Sequence, residues 1–213
     1  MPSKTIILCG SDGSGKTTIA NILKRKLSIG RKVVLIWFRW RAFFTYTLYL
    51  YSNIRHLYKY TTDRMNRRVK IINWSKDSFL KMLYPRTLLF DMLMFYILIK
   101  LKVTLLKYDI VIFDRFFIDT IVDVMYEAGN LKVINSLLAR LALTLTKSAS
   151  ACVMLDVDPN IAWQRKKDII STTELRYKRV IYHYLAKKFN ITVINTSNFS
   201  LCEVVSLVMK KIR

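Results

Sequence analysis

Short apolar runs rich in β-branched residues alternate with helix-length amphipathic segments along the 213-residue chain. The runs cover residues 5–9, 32–37, 109–113, 151–156 and 191–195. Because they are almost uniformly apolar, they predict strands buried on both faces, as in a parallel sheet covered by crossover helices. The pattern therefore predicts an α/β protein with a doubly wound, five-stranded parallel sheet flanked by helices.

The segments between these runs predict helices at residues 14–28, 87–107, 159–167, 173–188 and 200–212, with a pair between 118 and 146. Asp158 before Pro159 supports one helix start, because Asp caps a helix and Pro fits its first turn. Residues 39–86 are less regular and rich in Tyr, Arg and Lys, and we predict a helical insertion where substrate specificity is built. Because nothing resembles a linker, we expect a single domain over residues 1–213.

Composition adds a strong positive charge: 36 Lys and Arg against 14 Asp and Glu give +22. Such a surface attracts polyanions such as nucleotides, nucleic acids and acidic lipids, without choosing among them. The three cysteines lie in apolar stretches without metal-ligand spacing, so we expect reduced thiols and a cytoplasmic protein.

The longest apolar segments, residues 42–54 and 87–99, have 13 residues each, below the roughly 20 needed to cross a bilayer. We therefore expect no transmembrane segment. Buried helices explain both segments, and attachment to a membrane surface through basic, aromatic helices is an open alternative.

The strongest motif is GSDGSGKTT at residues 10–18, which matches the G-x-x-x-x-G-K-[ST] pattern of a phosphate-binding P-loop. Glycines allow a loop to point backbone N–H groups at phosphate oxygens ahead of a helix. Lys16 is expected to follow the β and γ phosphates, and the Thr17 hydroxyl to hold Mg²⁺. The predicted cofactors are ATP and Mg²⁺, bound by Gly10, Ser11, Asp12, Gly13, Ser14, Gly15, Lys16, Thr17 and Thr18, in a P-loop NTPase fold.

A second motif, VIFDR at residues 111–115, ends the third predicted strand. It delivers Asp114 and Arg115 to the carboxyl edge of the sheet, where α/β proteins bind ligands. We expect Asp114 to act at the metal and Arg115 to hold a second phosphate.

With these motifs the sequence resembles the thymidylate kinase family of nucleoside monophosphate kinases over nearly its whole length. The resemblance is carried by GSDGSGKTT, by WFRWR at residues 37–41, by LLF at 88–90, by VIFDR, by VMLDVDPNIAWQRKK at 153–167 and by YLAKKFNITVINTS at 184–197.

The resemblance implies a set of acceptor contacts and a lid. Asp12 resembles the acidic loop residue that approaches the acceptor sugar, Arg41 and Arg115 the arginines that hold the acceptor phosphate, and Phe90 the aromatic that stacks on the acceptor base. Residues 165–173 resemble the mobile lid over ATP. Because Gly13 stands where some members carry an arginine, the lid would supply that charge, from Arg165, Lys166 or Lys167. The implied catalytic residues are Lys16, Asp114, Arg115 and Arg165.

The sequence departs from the family pattern on the acceptor side. Met94 stands at the position of the base-reading arginine and cannot hydrogen-bond a pyrimidine edge. Asp119 and Asp123 replace small or amide residues, either as an ordinary helix face or as altered contacts to acceptor or metal. Arg39 takes the place of an expected proline before Arg41.

Three functions stay open at this point. The first is a kinase that moves the γ-phosphate of ATP to a nucleoside monophosphate, with dTMP as the acceptor on resemblance. The second is a P-loop kinase for a different nucleotide, nucleoside or small phosphorylated acceptor. The third is a basic nucleic-acid-binding P-loop NTPase, suggested by the charge and by the interleaved Arg and Tyr of residues 39–68. A homodimer is expected by analogy with related kinases.

Overall fold

The computed structural model describes residues 4–39 and 43–212. Among them, the main sheet has five parallel strands in the order β2-β5-β1-β6-β7. The strands are β1 (Lys4–Gly10), β2 (Val33–Trp37), β5 (Ile110–Asp114), β6 (Ala151–Asp156) and β7 (Thr192–Asn195). The five-stranded parallel sheet is therefore confirmed, with each strand within one residue of its predicted bounds.

Helices cover both faces of this sheet. They are α1 (Lys16–Leu27), α2 (Thr45–Ile54), α3 (Ser78–Leu105), α4 (Phe117–Glu127), α5 (Leu137–Lys147), α6 (Pro159–Arg165), α7 (Thr172–Phe189) and α8 (Leu201–Ile212), with a short 3₁₀ helix at Leu131–Asn135. One core joins β1 to α3, α4, α5 and α7, and a second joins the opposite face to α1 and α8. Because side chains alternate along a strand, Ile7 belongs to the first core and Leu8 to the second.

The insertion between β2 and β5 contains more than helix. After α2 the chain forms a two-stranded antiparallel hairpin, β3 (Tyr58–Thr62) and β4 (Arg68–Ile72), which the pattern did not predict. Helix α3 begins nine residues before its predicted start, at a cap where Asp77 accepts the N–H of Leu80 at 3.0 Å. Pro85 resembles a helix boundary in the sequence, yet it is buried inside this helix. Within the described ranges, no helix is long and apolar enough to cross a membrane.

Asp91, which interrupts an apolar run, organises the start of α2. Its carboxylate accepts backbone N–H groups of Phe43, Phe44 and Thr45 at 2.8–3.0 Å. These are donors that a helix start leaves without intrahelical partners, and Asp satisfies them while favouring the positive end of the helix dipole. The carboxylate therefore attaches α2 to α3.

Candidate active site

The loop between β1 and α1 uses glycine where the backbone allows no side chain. Gly10 has φ +135°, and a Cβ there would lie 2.2 Å from the carbonyl oxygen of Leu155 in β6. Gly13 has φ +82°, and its Cβ would lie 2.9 Å from Ala162 in α6. Both positions are thus closed to other residues by conformation and by space. The loop is held tightly between the sheet and the helix that leads into the predicted lid.

Lys16 folds back into this loop. Its Nζ donates to the carbonyl oxygens of Gly10 and Ser11, each at 2.6 Å, and lies 3.4 Å from Ser14 Oγ. Burial lowers the pKa of the ammonium to about 8, helped by the positive charge of Arg115 and opposed by nearby carboxylates. The Lys16 ammonium is therefore buried inside the loop, where backbone carbonyl oxygens accept its hydrogen bonds.

Thr17 and Asp114 form the pair expected of a metal site. The Thr17 hydroxyl donates to Asp114 Oδ2 at 2.6 Å. Within the described ranges, the second carboxylate oxygen of Asp114 is buried without a hydrogen-bond partner. A buried carboxylate oxygen without a partner is costly, and it is a ligand type that Mg²⁺ or its water shell favours. The donor set therefore fits Mg²⁺.

Arg115 and Asp12 pair across the site. Arg115 has φ +70°, uncommon for a residue with a side chain, and its guanidinium donates to the Asp12 carboxylate. Burial by itself would lower the pKa of Arg115, but the carboxylates of Asp12 and Asp119 outweigh this effect and raise the pKa. Burial by itself would raise the pKa of Asp12. The positive charges of Arg115, Lys16 and Lys166 outweigh this effect and hold the pKa well below its usual range. Arg115 and Asp12 thus stay ionised beside the loop.

Asp119 joins the phosphate loop to α4 and α7. It accepts the N–H of Gly10 at 3.1 Å, the N–H of Phe116 at 2.9 Å and the hydroxyl of Tyr182 at 2.8 Å. Burial raises the pKa of this carboxyl, and Lys16 and Arg115 partly offset the effect. The sequence marked Asp119 as a departure from the family pattern, but gave no sign of Tyr182 as its partner.

Asp123 lies one turn further along α4 and is also buried. It forms ion pairs with Lys178 at 2.8 Å and with Arg39 at 3.9 Å. Lys178 is shared with Glu174 at 2.7 Å. This network brings Arg39, one of the arginines after β2, to α4, where its charge also helps to lower the pKa of Asp12.

Two of the predicted lid residues, Arg165 and Lys166, contact different parts of the protein. Lys166 lies 3.4 Å from Asp12 and 3.3 Å from Asp168. Arg165 instead donates to the carbonyl oxygen of Thr196, after β7, at 3.0 Å. The structure thus brings Lys166, and not Arg165, to Asp12 in the phosphate loop.

The remaining predicted acceptor contacts are less connected to the loop. Phe90 lies on α3, is 41% exposed, and packs its ring 5.6 Å from Phe44. Met94, one turn later, is also half-exposed. Arg41 lies outside the described residues.

No protein-family model and no curated protein matches the sequence. Solved structures do match. Thymidylate kinase from Ehrlichia chaffeensis aligns with a TM-score of 0.59 and 21% identity, covering 100% of both chains. Thymidylate kinase from Candida albicans aligns with a TM-score of 0.58 and 15% identity, covering 99% of this chain and 91% of its own. At these identities the likeness establishes a shared architecture: the chain has the P-loop α/β fold of these two kinases.

Proposed function

We propose that the protein is an ATP- and Mg²⁺-dependent nucleoside monophosphate kinase, with dTMP as the first acceptor to test. The observation that carries the proposal is the meeting of two groups at one sheet edge. One is the Thr17–Asp114 pair beside the phosphate loop, and the other is the buried Arg115 that pairs with Asp12. The first group suits the metal and the donor phosphates, and the second suits an acceptor phosphate.

On the donor side, the proposal assigns the triphosphate of ATP to residues 10–18. Loop N–H groups and the start of α1 favour negative charge, and Lys16 is the ammonium that neutralises charge during transfer. Thr17 and Asp114 would hold Mg²⁺, which would supply positive charge to the donor phosphates. Phosphoryl transfer needs mainly positioning and charge, which these residues provide.

On the acceptor side, Arg115 would bind the acceptor phosphate, because its rigid fork of donors matches phosphate oxygens. Asp12 would then approach the acceptor sugar, and Arg41 and Phe90 are proposed contacts to the phosphate and base. The choice of dTMP rests on the two neighbours, both named as thymidylate kinases. Met94 and the paired Asp123 favour a second candidate, the same transfer to another nucleotide, nucleoside or phosphorylated metabolite.

The organisation proposed with this function is one kinase domain over residues 1–213, with an acceptor-side insertion at 39–86 and a lid at 165–173. Arg165 is kept as a catalytic candidate in that lid, with Lys166 beside it. Formation of a homodimer and a cytoplasmic location stay predictions.

The test is ADP formation from ATP and Mg²⁺ with a panel of dTMP, dUMP, CMP, dCMP and nucleosides. We expect ADP to form only when an acceptor is present, and to be lost in Lys16→Ala. A matched control is Lys24→Ala, which removes an exposed ammonium from the same helix. ADP formation that ignores every acceptor, or that survives Lys16→Ala, would overturn the proposal.

A further inference from the structure

The hairpin of β3 and β4 and its flanks concentrate positive charge. Residues 55–76 contain seven cations and one carboxylate, a net charge of +6 within a chain of +22. The cations are Arg55, Lys59, Arg64, Arg67, Arg68, Lys70 and Lys76. The carboxylate, Asp63, pairs with Arg67 at 2.7 Å and accepts backbone N–H groups inside the turn. The hairpin therefore presents an excess of positive charge to solvent.

One face of the hairpin combines this charge with aromatic rings. The strand register pairs Tyr60 with Lys70 and Thr62 with Arg68, so their side chains lie on the same face as Tyr58. The Arg68 guanidinium is 3.8 Å from the centre of the Tyr60 ring, and Lys70 Nζ is 3.8 Å from that of Tyr58. The two rings meet edge-on, with centres 5.7 Å apart. We call this set of four side chains, Tyr58, Tyr60, Arg68 and Lys70, the ribbon face.

The opposite face of the hairpin points toward the body of the protein. Lys59, Thr61, Val69 and Ile71 line a cleft of about 750 Å³ between the hairpin, α2, α4 and the start of α7. Lys70 and Ile72, from the ribbon-face side of β4, reach the rim of the same cleft. At the tip, Arg64 donates to the carbonyl oxygen of Trp163 and lies 4.6 Å from the centre of its ring. The tip is thus attached to α6, and Lys70 of the ribbon face donates to Asn53 Oδ1 in α2. Tyr60 on the ribbon face is 50% exposed, and Arg68 is exposed beside it.

From this arrangement we infer that the ribbon face binds single-stranded nucleic acid, a function beyond the proposed kinase activity. Unpaired bases stack on exposed tyrosine rings and on arginine planes, whatever their sequence. Phosphates between the bases are neutralised by Lys and Arg, which releases counterions. The two tyrosine rings favour a single strand over a duplex, because the bases of a duplex are already stacked on one another and cannot also stack on the protein. Charge complementarity selects a polyanion, and the rings select one that carries flat bases.

The test is fluorescence anisotropy of the full chain with a labelled 20-nucleotide single strand over a salt series. We expect Tyr60→Ala to weaken binding about tenfold, since each stacked base contributes about 1–3 kcal/mol. We expect Arg68→Ala to weaken binding and to lower the slope of log affinity against log salt by about 1.

The matched controls lie on other surfaces. Tyr184 in α7 is 49% exposed and has Lys188 5.4 Å from its ring centre, so Tyr184→Ala removes a similar pair elsewhere. Arg25→Ala removes one exposed charge from α1. Both control variants should bind the single strand as the unaltered chain does, and all four variants should keep the thermal melting temperature of the unaltered chain.

Two outcomes would overturn the inference. Equal losses in Tyr60→Ala and Tyr184→Ala would mean that the whole basic surface attracts the strand. Equal binding of a duplex of the same length, or of vesicles containing phosphatidylserine, with no effect of Tyr60→Ala would mean that charge alone is recognised.

Discussion

Thr17 and Asp114 are separated by 97 positions in the sequence, yet the Thr17 hydroxyl donates to one Asp114 oxygen at 2.6 Å. The parallel pairing of β1 with β5 brings them together, because it places the carboxyl ends of both strands side by side. Within the described ranges, the second Asp114 oxygen is buried without a hydrogen-bond partner, and this is the observation behind the proposed Mg²⁺ site.

Asp114→Asn keeps the size of the side chain and removes its charge. We expect ADP formation to fall on the order of a hundredfold and the Mg²⁺ concentration for half-maximal activity to rise, since a neutral amide binds the metal and its waters less well. Asp109→Asn, just before the other end of the same strand, is the control and should leave the Mg²⁺ dependence unchanged. An unaltered Mg²⁺ titration in Asp114→Asn would exclude Asp114 from the metal site.

ATP binding should take up protons in mildly alkaline solution. Lys16 is partly neutral at pH 8.5, because its pKa lies near 8, and a bound triphosphate favours its charged form. We expect an uptake of up to about three-quarters of a proton at pH 8.5 and little at pH 6.5. Calorimetry in buffers of different ionisation enthalpy measures this difference. The same uptake in Lys16→Ala would assign the proton to another group.

Arg115→Ala should raise the KM of the acceptor on the order of tenfold or more and change the KM of ATP much less, because Arg115 is assigned to the acceptor phosphate. Arg115→Lys keeps the charge but not the fork of donors, and should recover only part of the acceptor affinity. Steady-state kinetics with each substrate varied separately gives both constants. Equal changes for ATP and acceptor would contradict the assignment.

Lys166 and Arg165 should differ when each is changed to Ala. Lys166 forms an ion pair with Asp12 in the phosphate loop, whereas Arg165 donates a hydrogen bond to the carbonyl oxygen of Thr196. We therefore expect Lys166→Ala to lower kcat more than Arg165→Ala does, with Lys167→Ala as the neighbouring control. Single-turnover measurements separate the transfer step from product release. A larger loss in Arg165→Ala would restore Arg165 as the lid residue that acts on the transfer.

The raised pKa of Glu127 predicts that the free energy of unfolding falls as pH rises. Burial, with the charge of Asp123, raises its pKa from 4.5 to about 7. The folded chain therefore binds this proton more tightly than the unfolded chain. The resulting stabilisation is complete below about pH 4.5 and is lost as pH rises through 7.

Glu127→Gln should remove this dependence and raise the free energy of unfolding at pH 8 by on the order of 1–2 kcal/mol, because position 127 then carries no charge beside Asp123. The Tyr84 hydroxyl, which donates to Glu127, can donate to the amide oxygen instead. Glu203→Gln, at an exposed site on α8, should keep the fall between pH 5 and 7. Parallel pH profiles for the unaltered chain and Glu127→Gln would contradict the prediction.

The sequence predicted the features that depend on neighbouring residues along the chain. Strand bounds followed from apolar runs, and the loop with Lys16 and Thr17 followed from a motif of fixed spacing. The hairpin was missed because Tyr58–Thr62 is largely polar and Arg68–Ile72 is interrupted by two cations, so neither strand gives the uniformly apolar run that marked the strands of the main sheet. The start of α3 was missed because Pro85 resembles a helix boundary.

Contacts between distant side chains had no sequence signal. Nothing local links Asp119 with Tyr182, or Asp91 with the start of α2, since each pair depends on how helices pack. Lys166 could be named as a candidate only through a resemblance, and its pairing with Asp12 needs the folded chain. Spacing identified the groups that carry chemistry, and tertiary packing decided which of them meet.

The close approach of Gly13 to α6 connects the phosphate loop, through that helix, with the tip of the hairpin. Ala162 leaves no room for a side chain at Gly13, and the next residue, Trp163, holds Arg64 at the tip of the hairpin. Helix α6 therefore lies against the phosphate loop through Ala162 and against the hairpin tip through Trp163. A side chain at position 13 would displace this helix and the Trp163 ring with it, so the glycine also helps to fix where the hairpin tip attaches.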